Sequence, residues 1–357
     1  MKQTETYKKF CKKNIEIIMN IKGKIRYGKE DYMKIVDMHC DTISELFARM
    51  KEGRADTLAK NELHIDIEKM KKGDYLLQNF AMFVNLKERE DPLSYCLELI
   101  DLYYRQMKLN EDVIAPVFCY EDIEENRRKG KMSALLTIEE GGVTRGSLAH
   151  LRNYYRLGVR MLTLTWNHEN GIGYPNVTLK DGKTDWHTPN TIKGLTDFGL
   201  EFIQEMEDIG MIIDVSHLSD AGFYQVLEHT SKPFVASHSN ARSICSHVRN
   251  LTDDMISKLS ERGGVMGMNF FPVFLGEEKD AGTISAIVRH ILHIRNVGGY
   301  ECIGLGSDFD GIPGHDELKD SSCMPLLAEA LKKEGLANNE IEAIFYKNVL
   351  RIYKELL

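Results

Sequence analysis

Several things are missing from this chain of 357 residues, and each absence removes a class of protein. Its 7 cysteines are odd in number, widely spaced and never in a Cys-x-x-Cys pair. That excludes a disulfide scaffold and a zinc-finger array, and fits scattered thiols in a reducing compartment. No apolar run approaches the roughly 18 residues of a membrane span. No secretory h-region and no C-terminal anchor signal can be read, so a cytoplasmic protein with no membrane partner is expected. Lys+Arg number 46 against 54 Asp+Glu, for a net charge of -8, so the basic face that nucleic acid requires is not expected. There is no internal repeat, His-Glu-x-x-His helix, Gly-x-Ser-x-Gly elbow or phosphate-binding glycine loop. Gly304-Leu305-Gly306 lacks the third glycine of a dinucleotide fingerprint.

What is present is a folded-protein composition, 43% hydrophobic and 28% charged, which excludes disorder as the main state. Residues 1–32 stand apart, with nine basic against four acidic residues, leaving the acidic excess to residues 33–357. Two readings of this extension are open: a natural start at Met33, with a disordered or non-native leader, or a short helical arm. From residue 33 onward β-branched runs alternate with amphipathic stretches, the pattern of βα units around a parallel sheet. Eight strands are expected, at Lys34–Cys40, Gln78–Val84, Ser133–Ile138, Arg160–Thr165, Met211–Val215, Phe234–Ser237, Gly264–Asn269 and Cys302–Gly306. Helical patterns lie between them at Pro92–Leu109, Gly146–Leu157, Gly194–Ile209, Asp220–His229, Thr252–Arg262 and Thr283–Val297, and close the chain at Pro325–Glu334 and Asn338–Leu356. Eight such units make a single (β/α)8 barrel of α/β class, with the doubly wound open sheet as the alternative. The polar insertion Asn167–Asn190 reads as a loop on the catalytic face.

The chemistry gathers at the C-terminal ends of five of these strands. They end in His39-Cys40-Asp41, Glu139-Glu140-Gly141-Gly142, Asp214-Val215-Ser216-His217, Ser237-His238-Ser239 and Ser307-Asp308-Phe309-Asp310. A barrel brings such ends to one rim. Three imidazoles and two or three carboxylates, without thiolate, suit two zinc or similar ions with one bridging carboxylate. A hydroxide bridging two such ions is a nucleophile at neutral pH, and Asp308 is the spare carboxylate that could move its proton. A metal-dependent hydrolase is the reading the residues alone support.

At this point the chain resembles the renal (membrane) dipeptidase family, zinc-dependent dipeptidases of amidohydrolase-like barrels, from about Lys34 to the last helix. The resemblance is carried by Asp37-Met38-His39-Cys40-Asp41-Thr42, Glu140-Gly141-Gly142, Leu162-Thr163-Leu164-Thr165, Asp214-Val215-Ser216-His217 and Ser237-His238-Ser239. It continues in His247-Val248-Arg249-Asn250, Gly306-Ser307-Asp308-Phe309-Asp310-Gly311 and Asn348 with Arg351. It implies two Zn2+ per subunit. His39 and Asp41 would hold the first, His217 and His238 the second, and Glu140 would bridge them. Arg249 would clamp the carboxylate of a dipeptide and Asp308 would shuttle the proton to the leaving amine. Where many relatives carry a histidine after Leu-Thr-Leu-Thr this chain has Trp166, so His168 is the candidate oxyanion group. Phe271 stands where some relatives offer a substrate-binding tyrosine. The resemblance further implies a homodimer and dipeptide substrates, a C-terminal D-residue among them. N-acyl-amino-acid deacylation, lactam hydrolysis and a catalytically silent metal-binding scaffold are the alternatives.

Overall fold

A computed structural model describes residues 33–180, 182–276 and 281–357. The expectations for residues 1–32 fall outside the described residues. The strands are β1 (Ile35–Asp37), β2 (Tyr75–Phe83), β3 (Ile114–Val117), β4 (Met132–Glu139), β5 (Met161–Thr163), β6 (Thr178–Lys180), β7 (Lys183–Asp185), β8 (Ile212–Asp214), β9 (Val235–Ala236), β10 (Val265–Met268) and β11 (Ile303–Leu305). Parallel pairing runs β2-β1-β11-β10-β9-β8-β5-β4, and β4 pairs back onto β2, so eight strands close a barrel. This is the (β/α)8 architecture expected from the alternation. Closure explains why β2 and β4 are buried along nearly their whole length, polar residues included: with helices outside and a packed interior, both faces are dry.

Each observed ladder is shorter than the matching sequence run, except at β2 and β4. In β1 the last register pair is Asp37 with Leu305, and beyond it only the isolated bridge Cys40–Phe309 remains. His39 and Asp41 therefore lie just past the hydrogen-bonded barrel, on its rim. β3 was not anticipated. It pairs with the N-terminal half of β4 (Val117 with Leu135) and leaves the C-terminal half of β4 to β5 (Thr137 with Met161).

Helix starts follow capping chemistry. Asp91 precedes Pro92 and accepts from Ser94 N, and Thr196, Thr252 and Thr283 cap the helices that follow them. Among the described residues four helices escaped the periodicity: Thr42–Lys51, Ile67–Gly73, Tyr120–Arg128 and the single turn Pro272–Leu275. The first begins at Asp41, which makes no side-chain capping bond, and the third buries only Ile123 and Asn126 among charged residues. The stretch Asn167–Asn190 is a loop carrying one antiparallel hairpin, β6 with β7, whose turn includes Gly182 at φ +75°. The predicted helix Asn338–Leu356 is three consecutive pieces, with a π turn at Ala343–Lys347. No helix among the described residues is long and apolar enough to cross a membrane.

The lower end of the barrel is plugged by the chain terminus. Val349, Leu350, Ile352 and Tyr353 pack with Val36, Leu77, Leu135, Met161, Ile212, Val235 and Val265 in one buried cluster. Tyr353 donates to Asn79 Oδ1 at 2.9 Å inside it. Ile352 is fully buried. Ile352→Ala should therefore lower unfolding stability by about 2–5 kcal/mol in urea denaturation, the usual cost of emptying such a site.

Candidate metal centre

The rim above the barrel opens into a cavity of about 1120 Å3 whose lining includes Asp41, Glu139, His217, Arg249, Phe271 and Asp308. At its floor one carboxylate organises three imidazoles. Glu139 Oε2 lies 3.4 Å from His39 Nε2. Its other oxygen, Oε1, lies 2.9 Å from His217 Nε2 and 3.3 Å from His238 Nε2. The two histidine nitrogens of the second set are 3.1 Å apart. On the first side His39 Nε2 also stands 3.5 Å from Asp41 Oδ2 and 3.9 Å from Asp308 Oδ1.

These spacings fit metal ligands. A tetrahedral zinc with bonds of about 2.1 Å has its donor atoms about 3.4 Å apart. Buried atoms also lack partners: both ring nitrogens of His39 and Asp41 Oδ1 make no hydrogen bond. Buried polar groups are rarely left so. The donors sort into two overlapping groups, His39–Glu139–His238 and His39–Asp41–Asp308.

The surrounding bonds fix which nitrogen each imidazole offers. His217 Nδ1 donates to Asn167 Oδ1 at 2.8 Å. His238 Nδ1 donates to Ser237 Oγ at 2.7 Å, and Ser237 Oγ in turn donates to Asp214 Oδ2 at 2.6 Å. Both Nε2 lone pairs therefore face the cavity floor. Burial, with the Arg249 charge, pushes His217 down to about 4, and burial beside His39 holds His238 well below the usual histidine value. Neutral rings are the form a cation needs. Burial works against Glu139, yet the His39 charge beside it holds it well below the ordinary glutamate value.

The backbone is bent where these residues sit. Glu140 (φ +106°), His217 (φ +68°), Asp308 (φ +62°) and Asp310 (φ +70°) are four of the six non-glycine residues with positive φ among those described. Such conformations cost about 1–3 kcal/mol each and collect at functional sites. Asp310 anchors this rim, accepting from Thr42 Oγ1 and from the backbone N–H groups of His64 and Ile65.

Five of the six ligand and shuttle residues read from the sequence, His39, Asp41, His217, His238 and Asp308, converge here. Glu140 does not. Its carboxylate accepts from Gly142 N at 2.6 Å, from Trp166 N at 3.1 Å and from Asn170 Nδ2, and burial raises it to about 7. The carboxylate that stands between the three imidazoles is that of Glu139. Glu139 is the last ladder residue of β4, paired with Thr163, whereas Glu140 has left the strand. Strand parity could have found this. Leu135, Thr137 and Glu139 share one face, and Leu135 is in the barrel core.

His168 is a second correction. It is not among the residues lining the cavity, and its Nε2 meets Asn85 Oδ1 at 3.2 Å. The residues of that segment that do line the cavity are Trp166 and Asn167. Extended-strand alternation does not continue through this loop. Arg249 lines the cavity as read, 4% exposed. Its Nη2 donates to His238 O at 3.1 Å and its Nε has no partner. No described carboxylate lies within ion-pair distance of it, and burial pushes it down to about 10. Phe271 lines the same wall, edge-on to Phe274 at 5.0 Å.

Known proteins resemble this chain in sequence and in fold. The sequence model of membrane dipeptidases (peptidase family M19) matches residues 30–356. An uncharacterised dipeptidase of Schizosaccharomyces pombe is 36% identical over 343 residues, covering 91% of this chain and 80% of its own. The dipeptidase tcpJ of Claviceps purpurea is 30% identical over 302 residues, covering 82% and 69%. Among solved structures, a metallo peptidase of Rhodobacter sphaeroides, liganded with a phosphinate mimic of the dipeptide L-Ala-D-Ala, superposes with a TM-score of 0.83. It is 22% identical, covering 92% of this chain and all of its own, and shows the shared fold.

The two adjacent glutamates separate cleanly by experiment. Glu139→Gln should weaken zinc binding about a hundredfold or more in competition with a chelator. Glu140→Gln should retain zinc. It should instead lose about 1–3 kcal/mol of stability, because the new amide would face the Trp166 N–H with a donor.

Proposed function

Because the chain belongs to the membrane dipeptidase family, peptidase family M19, we propose that it is a dinuclear zinc dipeptidase, hydrolysing the single peptide bond of a dipeptide, C-terminal D-residues included. The observation that carries the reading is Glu139, with one oxygen turned to His39 and the other to His217 and His238. One ion would be held by His39, Asp41 and Glu139 Oε2, the other by Glu139 Oε1, His217 and His238. Two such ions, when bound, polarise the scissile carbonyl and ionise water at neutral pH.

The remaining work falls to the chain's own side chains. Arg249 presents a buried guanidinium beside His238, with its Nε unpartnered, suited to grip the carboxylate of the C-terminal residue. That grip sets the peptide bond over Glu139 and admits a substrate one residue long beyond it. Asp308 is held by Asn269 Nδ2, which donates to its Oδ2 at 2.9 Å, and leaves Oδ1 facing the floor. Burial raises Asp308 to about 7, between the two protonation states a proton carrier alternates between. It takes the proton of the attacking water and returns it to the departing amine nitrogen. Trp166, edge-on to Phe83 at 5.0 Å, lines the cavity beside Asn167.

A panel of free and N-acetylated L-L and L-D dipeptides, assayed with zinc supplied, tests the reading. Hydrolysis of the free dipeptides is expected, and activity confined to the acetylated set would overturn it. Asp308→Asn should lower kcat about 10²–10⁴-fold while zinc content stays at two equivalents. Near-full turnover in that variant would remove Asp308 from the mechanism.

A further inference from the structure

This inference rests on the dipeptidase reading and concerns the wall beside Arg249. That wall is aromatic and continuous. Trp186 stacks on His247 with centroids 5.5 Å apart and 19° between planes. His247 meets Phe274 at 4.5 Å, and the Arg249 guanidinium lies 5.5 Å from the Phe274 ring. Two residues of the wall keep large apolar surface open to the cavity: Trp186 is 38% exposed and Val273 50%. Apolar surface turned into a ligand cavity is surface that a ligand covers.

Trp186 is held in place before any ligand arrives. It follows β7 of the hairpin, and its carbonyl accepts from Val248 N at 2.9 Å, one residue from Arg249. Next to it, His187 Nδ1 donates to Ser246 O at 2.8 Å. Asn176, 2% exposed, lies just before the hairpin and ties it, with Asn190 beyond the hairpin, to the Arg249 segment. It donates to Asp220 Oδ1 and Val248 O, both at 2.7 Å, and accepts from Asn190 N at 2.8 Å and Asp220 N at 3.1 Å. The spacing between the aromatic face and the guanidinium is thereby preset.

The opposite wall differs. Arg249 follows β9 and Asn85 follows β2, and these strands stand across the eight-strand ring from each other. The β2 side carries Asn85, Glu88 and Glu45 along with Phe83 and Trp166. A dipeptide with its carboxylate on Arg249 and its peptide bond over Glu139 lays its C-terminal side chain on the aromatic wall. Its N-terminal half then lies toward the more polar one.

We propose that Trp186 is a specificity-determining residue that selects dipeptides whose C-terminal side chain is large and apolar or aromatic. The test compares Ala-Gly, Ala-Leu and Ala-Phe with wild type, Trp186→Phe and Trp186→Ala, zinc supplied. Wild type should prefer Ala-Phe over Ala-Gly by about tenfold or more in kcat/KM, expressed mainly in KM. Trp186→Ala should cut that ratio about tenfold, and Trp186→Phe should restore most of it. A wild-type ratio near one, or a ratio unmoved by Trp186→Ala, overturns the inference while leaving the dipeptidase reading intact. If Trp186→Ala does not fold, the wild-type series and Trp186→Phe decide. No hydrolysis of any of the three dipeptides overturns the dipeptidase reading and this inference with it.

Discussion

Everything at the top of this barrel is arranged around buried negative charge. Asp41, Glu139 and Asp308 meet at the floor of one cavity, and the Arg249 guanidinium is a permanent cation near Asp308 and Glu139. Unpaired buried charges cost several kcal/mol each, so a floor of this kind is stable only with positive charge supplied. Protons supply part of it when no other cation does. His39 is raised well above its ordinary value by Glu139 and Asp41 despite burial, and burial raises Asp41 to about 6 and Asp308 to about 7. Divalent cations would occupy the same positions and displace those protons, which ties metal affinity to pH.

The fold makes this concentration possible. A closed parallel barrel offers eight strand ends in a ring; Glu139 closes the ladder of its strand, and His39, Asp41, His217, His238 and Asp308 lie two or more residues beyond theirs. The neighbouring hydroxyls and carboxylates orient them. Asp214 accepts from Thr163 Oγ1, Ser237 Oγ and Ser237 N, and through Ser237 it aims His238. Asp37 plays the matching part on the other side, accepting from Ser307 N and Oγ at the start of the Asp308 turn. Positive φ at His217 and Asp308 is stored strain, held by these bonds and by the packing below.

Much of this was legible in the sequence. β-branched runs placed all eight barrel strands, because strands dry on both faces leave a strong apolar signal. The convergence of His39, Asp41, His217, His238 and Asp308 was legible because polar residues at strand ends stand out against that signal. The Glu139 and Glu140 pair misled, since adjacency to the two glycines outweighed strand parity, and only the positive φ of Glu140 shows where the strand stops. His168 misled because alternation lapses in a loop. Asn167 and Trp186 carried no sequence signal, for their roles depend on which distant segments the insertion meets: His217 for one, His247 and Val248 for the other.

The central claim is that Glu139 divides its two oxygens between two cations. Anomalous diffraction at the zinc edge from crystals grown with zinc tests it most directly. The account predicts two peaks, one flanked by His39, Asp41 and Glu139 Oε2 and one by Glu139 Oε1, His217 and His238. A single peak, or density against Glu140 with Glu139 unliganded, would contradict it.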